Sequence, residues 1–513
     1  MSTQPPPAQP TSSPPPPVTG SPDLLARLRE DLRSAGYTVE GLADVLGPVA
    51  SAALHREQPL PATRVTAAAG GEFAATLVRC FVLGLPVAPR DLEFALPRTG
   101  VGGLLTLGLL RRSHDGTFRA TCDLRPYGTE DELWWVASDL SELALDGPLP
   151  TDHVLGIGGA STTLASWTPR PRAGRVLDLG TGCGVQALHL AGPSTERVAS
   201  DLSDRALAFA RFTLELNGVE ADLRPGSLLE PVEGERFDLV VSNPPFVITP
   251  RREGVPVYEY RDGGAAGDAL VAGLVRDLAD HLEPGGIAQL LANWELGADE
   301  DWRERVGGWL DGTGLDAWVV QREVQDVAEY AETWARDGGH RPGTAGFEDL
   351  YAAWLDDFAD RGVEQIGFGI ITLQRPASAR EPWHELVEVH HPVAAPMGPT
   401  VLEGLRARTW LAEHSEDELL DVAWRVADDV TEERIGRPGA EDPQVIQLRQ
   451  GGGLRRVVRL DTLGAGLVGA SDGDLTARQL CSGLAVLTES SAEQVQQAVL
   501  PLLRELVADG LLV

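Results

Sequence analysis

Arg175-Val-Leu-Asp-Leu-Gly180-Thr-Gly182-Cys-Gly184 is an apolar strand pattern that runs directly into three alternating glycines. A helical pattern, Val185 to Ala191, follows the last glycine. Glycines between a strand and a helix let the backbone approach a ligand closely, at a helix N-terminus where free N–H groups point outwards. The stretch therefore predicts a strand–loop–helix unit of an open α/β sheet, with a nucleotide-like ligand at the loop.

Further strand patterns bring polar residues to the same edge of the predicted sheet. The strand Glu196 to Ser200 ends at Asp201, whose carboxylate can bridge the two hydroxyls of a ribose. The segment Asp222 to Ser227 returns to that edge, and Gly285 to Ala292 is a later strand pattern. Open α/β sheets bind their ligands at the carboxyl ends of the strands, so these segments strengthen the prediction of a nucleotide site.

A fourth strand pattern, Phe237 to Ser242, ends in Asn243-Pro244-Pro245-Phe246. These four residues provide a hydrogen-bond acceptor, a fixed backbone carbonyl and a flat stacking surface at one point. Acceptors on the Asn243 side chain and the Pro244 carbonyl, aimed at the two N–H bonds of a planar nitrogen, would turn its lone pair towards an electrophile. The alternative is a turn that ends the strand, which is a common use of Asn-Pro pairs.

The glycine loop, Asp201 and the tetrapeptide Asn243 to Phe246 together resemble class I S-adenosylmethionine-dependent methyltransferases of the Asn-Pro-Pro-Phe/Tyr type. The resemblance covers roughly residues 150 to 375. This type includes glutamine-N5 protein methyltransferases, guanine-N2 RNA methyltransferases and adenine-N6 DNA methyltransferases. The resemblance implies a Rossmann-like, seven-stranded α/β core, S-adenosyl-L-methionine as the cofactor, and methyl transfer to a planar nitrogen.

The same resemblance implies a set of site residues. Asn243, Pro244, Pro245 and Phe246 match the catalytic tetrapeptide. The residues that it places at the cofactor are Asp178, Gly180, Thr181, Gly182, Gly184, Asp201, Leu202, Ser227, Leu228 and Asn243. Ser227 departs from the family pattern, because many members carry there an Asp that meets the adenine amine.

Two motifs point to different methyl acceptors. Gly263-Gly264, before the helical pattern Ala269 to Leu282, resembles an element of the glutamine methyltransferases and favours a protein side-chain amide. Phe246 favours an exocyclic amine of RNA or DNA, since the guanine-N2 group usually carries Phe at this place and the glutamine group Tyr. A third hypothesis is a regulator that binds the cofactor without catalysis.

Composition excludes several other classes of site. All 43 basic residues are Arg, so neither a Walker-type phosphate loop nor a pyridoxal Schiff base can form without Lys. A net charge of −33 argues against a broad surface for a nucleic-acid backbone and favours a protein substrate. The four cysteines show no paired spacing, which predicts neither a zinc site nor a disulfide framework.

The sequence predicts that the chain is divided into a tail and three domains. Residues 1–21 are rich in Pro, Ser and Thr and predict a disordered tail without the features of a signal peptide. Residues 22–150 predict a mostly helical, winged-helix-like domain, 151–376 the methyltransferase domain, and 377–513 a second winged-helix-like domain. The acidic helix Ser491 to Asp509 favours scaffold or protein-contact roles for these modules over DNA binding.

The apolar stretches of the chain predict its localisation. The longest apolar stretch, Val101 to Leu110, is about half the length of a membrane span. The expected location is therefore the cytoplasm, with no membrane partner and no metal. The sequence leaves the oligomeric state open.

A helical insert is predicted at residues 323–364, between strand six at 314–321 and strand seven at 365–373. This connection is a tight hairpin in most proteins of the fold. The insert leaves the carboxyl edge of the sheet and predicts a lid or substrate wall that contains Tyr330, Trp334, Tyr351 and Trp354. The alternative is a helical hairpin that packs on a neighbouring domain.

The segment His153 to Leu164, directly before the first strand, carries a Gly-Gly pair and a Ser/Thr run. Its backbone N–H groups could bind the methionine carboxylate of the cofactor. A flexible connector is the alternative.

Overall fold

A computed structural model describes residues 13–129, 132–141, 144, 149–190, 192, 195–252, 255–439 and 442–513. Its first part consists of helices followed by two antiparallel hairpins. The elements are α1 (Pro22–Ser34), α2 (Val39–Leu54), α3 (Leu60–Ala68), α4 (Phe73–Leu77) with a π-helical turn (Val78–Val82), α5 (Pro89–Ala95), α6 (Gly100–Thr106), β1 (Leu110–Arg112), β2 (Phe118–Ala120), β3 (Asp123–Gly128) and β4 (Leu133–Ser138).

The central part alternates strands and helices. Its elements are α7 (Gly159–Trp167), β5 (Arg175–Leu179), α8 (Val185–His189), β6 (Glu196–Asp201), α9 (Asp204–Asn217), β7 (Asp222–Pro225), β8 (Phe237–Ser242), α10 (Ala269–Asp277), β9 (Leu282–Gly297), α11 (Trp302–Leu310), β10 (Asp316–Asp326), α12 (Val327–Asp337), α13 (Ala345–Arg361), β11 (Val363–Gln374) and β12 (His384–Glu388). The predicted strands at the glycine loop, Asp201 and Asn243 are confirmed as β5, β6 and β8.

The central strands form one sheet in the order β12-β10-β11-β9-β8-β5-β6-β7. Only β11 runs antiparallel to its neighbours, and the other described strands of the sheet are parallel. A large, mostly parallel sheet with the order reversing beside β5 confirms the predicted Rossmann-like α/β class. β5, β6, β7 and β8 all end at the same edge, which brings the glycine loop, Asp201, Ser227 and Asn243 together.

The seven predicted strands are present as β5 to β11, and β12 adds an eighth strand that the sequence did not predict. β12 pairs in parallel with β10, from Ala317 opposite His384 to Gln321 opposite Glu388. The strand is only five residues long and half-buried at the sheet edge, so it carries little apolar alternation that a sequence pattern could reveal.

The insert is shorter than predicted. β10 continues to Asp326 and β11 begins at Val363, so the antiparallel pair extends beyond the ends of the predicted strands. The helical insert is therefore residues 327–361, formed by α12 and α13. Val324, which the sequence placed in a helix, lies in β10 opposite Gly367.

The first part shares a core with the central sheet. Phe209 and Phe212 of α9 belong to the same buried cluster as Leu28 of α1 and Phe81. Asn217, at the end of α9, accepts a hydrogen bond from Trp135 N and donates one to Trp135 O, with N–O distances of 3.0 and 2.8 Å. β4 is thereby fixed to the helix that follows Asp201.

The segment 13–21, predicted to be disordered, lies against the protein. Val18 N donates to Leu107 O, and Pro14 O accepts a hydrogen bond from Arg205. Ser21 caps the N-terminus of α1 through Leu24 N. Residues 1–12 lie outside the described residues.

The last part combines helices with a three-stranded antiparallel sheet. Its elements are α14 (Gly398–Glu413), α15 (Glu416–Leu420), β13 (Val430–Ile435), β14 (Val445–Gln450), β15 (Val457–Leu460), α16 (Thr462–Gly469), α17 (Ala477–Leu487) and α18 (Ala492–Ala508). Arg408 of α14 ties this part to the central sheet: its guanidinium binds Glu385 of β12 and Asp509 and lies 4.0 Å from the ring centroid of Trp318 in β10.

Within the described ranges, none of the helices is long and apolar enough to cross a membrane. The described residues also contain no group of His, Cys, Asp or Glu side chains placed to hold a metal ion.

Candidate functional site

A cavity of about 830 Å³ lies at the carboxyl edge of the sheet. It is lined by four segments that the sequence singled out: the glycine loop, the end of β6, the turn after β7 and the start of the tetrapeptide. The predicted site residues that line it are Gly180, Thr181, Gly182, Asp201, Leu202, Ser227, Leu228, Asn243, Pro244 and Pro245. Asp178, Gly184 and Phe246 do not line it.

The three glycines of the loop adopt left-handed backbone conformations, which favour glycine. Gly180, Gly182 and Gly184 have φ values of 74°, 54° and 85°. Gly180 N and Thr181 N both donate to Ser200 O, at 2.9 Å each, which fixes the loop to β6. A Cβ at Gly184 would lie 3.2 Å from Ala210 Cα, so this glycine permits close packing of α8 on α9 and not contact with a ligand.

Asp178 supports the loop from behind. Its Oδ2 accepts hydrogen bonds from Thr181 Oγ1 at 2.6 Å and Ala187 N at 3.0 Å, and the side chain is buried. The resemblance predicted that this residue contacts the cofactor. In the structure its side chain is buried below the glycine loop and does not line the cavity. Alternate residues of a strand point to opposite faces, so the carboxylate lies beneath the loop that it stabilises.

Burial raises the pKa of Asp178 to about 7, and the charge of Asp201 acts in the same direction, whereas hydrogen bonds from Thr181 and Ala187 oppose the shift. An unfolded chain would titrate this carboxyl at about 3.9. The folded protein therefore binds more protons between these pH values, and its free energy of unfolding falls as pH rises through that window.

Asp178→Asn is expected to flatten this dependence, since the amide cannot ionise. The measurement is the urea midpoint of the wild type and the variant at a series of pH values from 4 to 7. An unchanged slope in the variant would show that another group causes the pH dependence.

Asp201 joins the loop to the cavity. Its Oδ2 accepts from Gly182 N and its Oδ1 from Ser203 N, each at 2.9 Å. A carboxylate offers about four acceptor positions, so two remain for the hydroxyls of a ligand. Burial raises the pKa of this carboxyl. Leu202, which is 71 % exposed, and Leu228, whose φ is 46°, add two apolar side chains to the lining of the cavity.

Asn243 lies next to the glycine loop. Ser242 Oγ donates to Leu179 O at 2.8 Å, and a Cβ at Gly180 would lie 3.9 Å from Asn243 O. The side-chain Oδ1 of Asn243 is buried and has no hydrogen-bond partner among the described residues. Pro244 O accepts from Phe246 N at 2.7 Å, which leaves its second lone pair free in a tight turn.

Phe246 turns away from the cavity and packs on the insert. Its ring meets that of Trp334 edge to face with centroids 6.4 Å apart, and its backbone forms a bridge to Asp262. Of the four aromatic residues predicted for a substrate wall, Trp334 lines the cavity. Tyr330 and Trp354 are buried in the core between the insert and the sheet, and Tyr351 packs against that core.

A hydrogen-bonded cluster of Tyr260, Arg261 and Asp337 lies beside the tetrapeptide, and the sequence patterns did not predict it. Arg261 is 3 % exposed and donates from Nη1 to Asp337 Oδ2 and Trp334 O, at 2.8 Å each. Tyr260 donates its hydroxyl proton to Asp337 at 2.6 Å, and the ring of His153 packs edge to face on Tyr260. Burial lowers the pKa of His153. The run of aromatic and charged residues at 258–262 was the available signal, but its partners lie far along the chain.

The segment before β5 also reaches the cavity. Gly158 caps the N-terminus of α7, and Gly156 to Ser161 line the cavity. Gln186 Nε2 donates to Ser161 O at 2.9 Å, which links this segment to the helix after the glycine loop.

Comparison with known protein families agrees with this geometry. The family described as Methyltransferase small domain matches residues 156–309, which contain the glycine loop, Asp201 and the tetrapeptide. Residues 156–309 are a methyltransferase small domain. Families described as Domain of unknown function match on both sides of it, DUF7059 at residues 34–121 and DUF7782 at residues 403–513.

Two curated relatives are similar to the methyltransferase small domain. A release factor glutamine methyltransferase of Geobacter sulfurreducens is 37% identical over 161 residues, 29% of this chain and 55% of that protein. A ribosomal RNA small subunit methyltransferase C of Serratia proteamaculans is 31% identical over 167 residues, 32% of this chain and 43% of that protein. The chain thus spans about half the length of these relatives.

Among solved structures, a methyltransferase from Pyrococcus furiosus overlaps 42% of this chain and 80% of its own, at 16% identity and a TM-score of 0.26. This TM-score is low, so the assignment of the methyltransferase small domain rests on the family match.

Proposed function

We propose that this protein transfers the methyl group of S-adenosyl-L-methionine to a planar nitrogen, and that the acceptor is a protein side-chain amide of the glutamine type. The observation that carries the proposal is the buried, unpartnered Oδ1 of Asn243 beside the glycine loop, in the cavity that Asp201 also lines. This supports a site in which the residues proposed for the cofactor and the residue proposed to accept N–H bonds line one cavity.

The residues of the cavity fit this cofactor. The free acceptor positions of Asp201 suit the ribose hydroxyls, and the exposed side chain of Leu202 and the half-buried side chain of Leu228 suit the adenine ring. Ser227 lines the same side. Backbone N–H groups at the start of α7 suit the methionine carboxylate. The bound cofactor would supply a methyl group on a positively charged sulfur.

The contribution of the protein to the reaction is alignment. Asn243 Oδ1 and the Pro244 carbonyl accept the two N–H bonds of the acceptor, so that its nitrogen lone pair points at the methyl carbon. The nitrogen–carbon bond forms as the carbon–sulfur bond breaks, and the nitrogen then loses its proton to water. Proximity and orientation account for most of the rate enhancement in this scheme, since no strong base is required.

Three features favour a neutral amide in a protein. The cavity carboxylates Asp139, Asp262 and Asp337 are paired with Arg205, Arg251 and Arg261, whereas Asp201 and Glu259 in the same lining have no ion pair among the described residues, so the negative charge of the cavity is unfavourable for a phosphate. Gly263 and Gly264, which resemble an element of the glutamine methyltransferases, line the cavity. The net charge of −33 is unfavourable for binding nucleic acid.

The second candidate is an exocyclic amine of RNA or DNA. Phe246 at the end of the tetrapeptide favours it, and one of the two relatives described above is named for ribosomal RNA. In both cases the regions flanking the methyltransferase small domain, 22–150 and 377–513, would act as winged-helix-like modules that contact the substrate.

Transfer of a labelled methyl group separates these candidates. The full-length protein is incubated with methyl-labelled S-adenosylmethionine and cell extract, and the product is treated with protease or with nucleases. Label released by protease alone is the expected result. Label released by nucleases would favour the base amine, and bound cofactor without transfer would favour a non-catalytic regulator.

A further inference from the structure

Six residues that line the cavity carry a buried polar atom with no hydrogen-bond partner among the described residues, and three of these atoms belong to residues in or next to the tetrapeptide. They are Asn243 Oδ1, Asp262 Oδ2 and Trp334 Nε1. Each atom is buried and has no hydrogen-bond partner among the described residues. Buried polar groups are nearly always paired in folded proteins, so these three atoms beside the tetrapeptide are candidates to bind the acceptor.

The backbone brings the three side chains together. Phe246 follows Asn243 by three residues, bridges to Asp262 and packs on the ring of Trp334. Val247 N donates to Arg261 O at 3.0 Å, which adds a second link between the tetrapeptide segment and the turn before Asp262. The acceptor site is thus built by the tetrapeptide, the segment at 261–262 and the insert.

Two of these atoms, together with the Pro244 carbonyl, match a primary carboxamide. Asn243 Oδ1 and the Pro244 carbonyl accept hydrogen bonds, and Trp334 Nε1 donates one. A carboxamide offers two N–H donors and one carbonyl acceptor, all in one plane. Trp334 Nε1 is thus an unpaired donor that the carbonyl oxygen of such an amide could satisfy.

Contacts with Arg261 and Tyr330 fix the position of Trp334. Arg261 donates to the Trp334 carbonyl and its guanidinium carbon lies 5.7 Å from the centroid of the Trp334 ring. The ring of Tyr330, one helical turn earlier in α12, lies edge to face at 5.9 Å. These contacts fix the indole before any acceptor binds.

We propose that Trp334 binds the carbonyl oxygen of the acceptor carboxamide through its indole N–H, so that the 327–361 insert selects amides. This inference rests on the proposed function, whose tetrapeptide accounts for the N–H bonds of the acceptor and leaves its carbonyl unassigned. Trp334 is then a specificity-determining residue, because the residues assigned in the tetrapeptide only accept hydrogen bonds and cannot bind the carbonyl oxygen.

Trp354 provides a matched control within the same insert. Its Nε1 is also buried and unpartnered, but the residue does not line the cavity and packs on Tyr330 and Phe358 instead. Trp354→Phe and Trp334→Phe therefore remove the same group from the same helical hairpin, and only one of them removes it from the cavity.

The experiment follows the indole ¹⁵N–¹H signals of the full-length protein, saturated with S-adenosylhomocysteine, during titration with N-acetyl-L-glutamine N-methylamide. The signal that is missing in Trp334→Phe is expected to shift on titration, and the signal missing in Trp354→Phe to stay in place. N-acetyl-L-norleucine N-methylamide, which lacks only the side-chain amide, should shift neither. With the amide acceptor in turnover assays, Trp334→Phe should raise KM by roughly tenfold and change kcat little.

Three results would overturn the inference: no binding of the glutamine probe, binding without a shift of the Trp334 signal, or an equal shift with norleucine. A shift with guanosine and none with the glutamine probe would also overturn it, in favour of a base acceptor. If methyl transfer proceeds and the Trp334 indole signal does not shift, only this inference is refuted. If the Trp334 signal shifts and no methyl group is transferred, the proposed function is refuted instead.

Discussion

Asn243→Ala is expected to reduce methyl transfer by roughly 10²- to 10³-fold, the effect typical of removing one preorganised hydrogen-bonding group at a reacting centre. The variant loses the buried, unpartnered Oδ1 of a side chain that lines the cavity beside the glycine loop. Without it the acceptor nitrogen keeps one N–H unpaired and its lone pair is no longer turned towards the methyl carbon. The measurement is the single-turnover rate of methyl transfer from labelled S-adenosylmethionine.

Cofactor affinity separates a catalytic role of Asn243 from a structural one. The glycine loop and Asp201 are fixed by backbone hydrogen bonds that do not involve the Asn243 side chain, so the affinity of Asn243→Ala for S-adenosylmethionine should stay near that of the wild type. Asn243→Asp keeps an acceptor at the same place and should lose less activity. Undiminished turnover in Asn243→Ala would contradict the assignment of this residue.

Arg408→Ala is expected to lower the free energy of unfolding by about 3 kcal/mol, because it leaves the carboxylate of Glu385 without its cation and Asp509 with Arg456 alone. The guanidinium is 4 % exposed and also packs over Trp318. The substitution breaks contacts among α14, the added strand β12 and the end of α18 at one point. Urea unfolding measures the change.

Arg406→Ala is the matched control, two residues earlier in α14. Arg406 pairs with Glu403, and both side chains are well exposed. Exposed ion pairs of this kind contribute at most about 1 kcal/mol, so the control should unfold close to the wild type. Equal midpoints for the two variants would show that the Arg408 cluster does not hold the last part of the chain to the sheet.

The part of the site that the sequence predicted is local. The glycines at 180, 182 and 184, Asp201 and the tetrapeptide each follow directly after a strand, so the pattern of one strand was enough to place them at the sheet edge. The same pattern could not tell that Asp178 lies beneath the loop, since this depends on which face of β5 meets α8.

The part that the sequence missed depends on long-range packing. Tyr330 and Trp334 are one helical turn apart, yet the first is buried against β9 and β11 and the second lines the cavity. Which side of α12 faces the tetrapeptide is decided by Arg261 and Asp337, whose pairing joins residues 76 positions apart. β12 was missed because a short edge strand has too few alternating residues to show a period.

The central claim is methyl transfer to a planar nitrogen, and locating the transferred methyl group tests it most directly. Tandem mass spectrometry of the product formed by the full-length protein is expected to find the added methyl on the side-chain amide nitrogen of a protein residue, and to find no such product with Asn243→Ala. A methyl group on a carbon or an oxygen, or a product that forms equally well with Asn243→Ala, would contradict the claim.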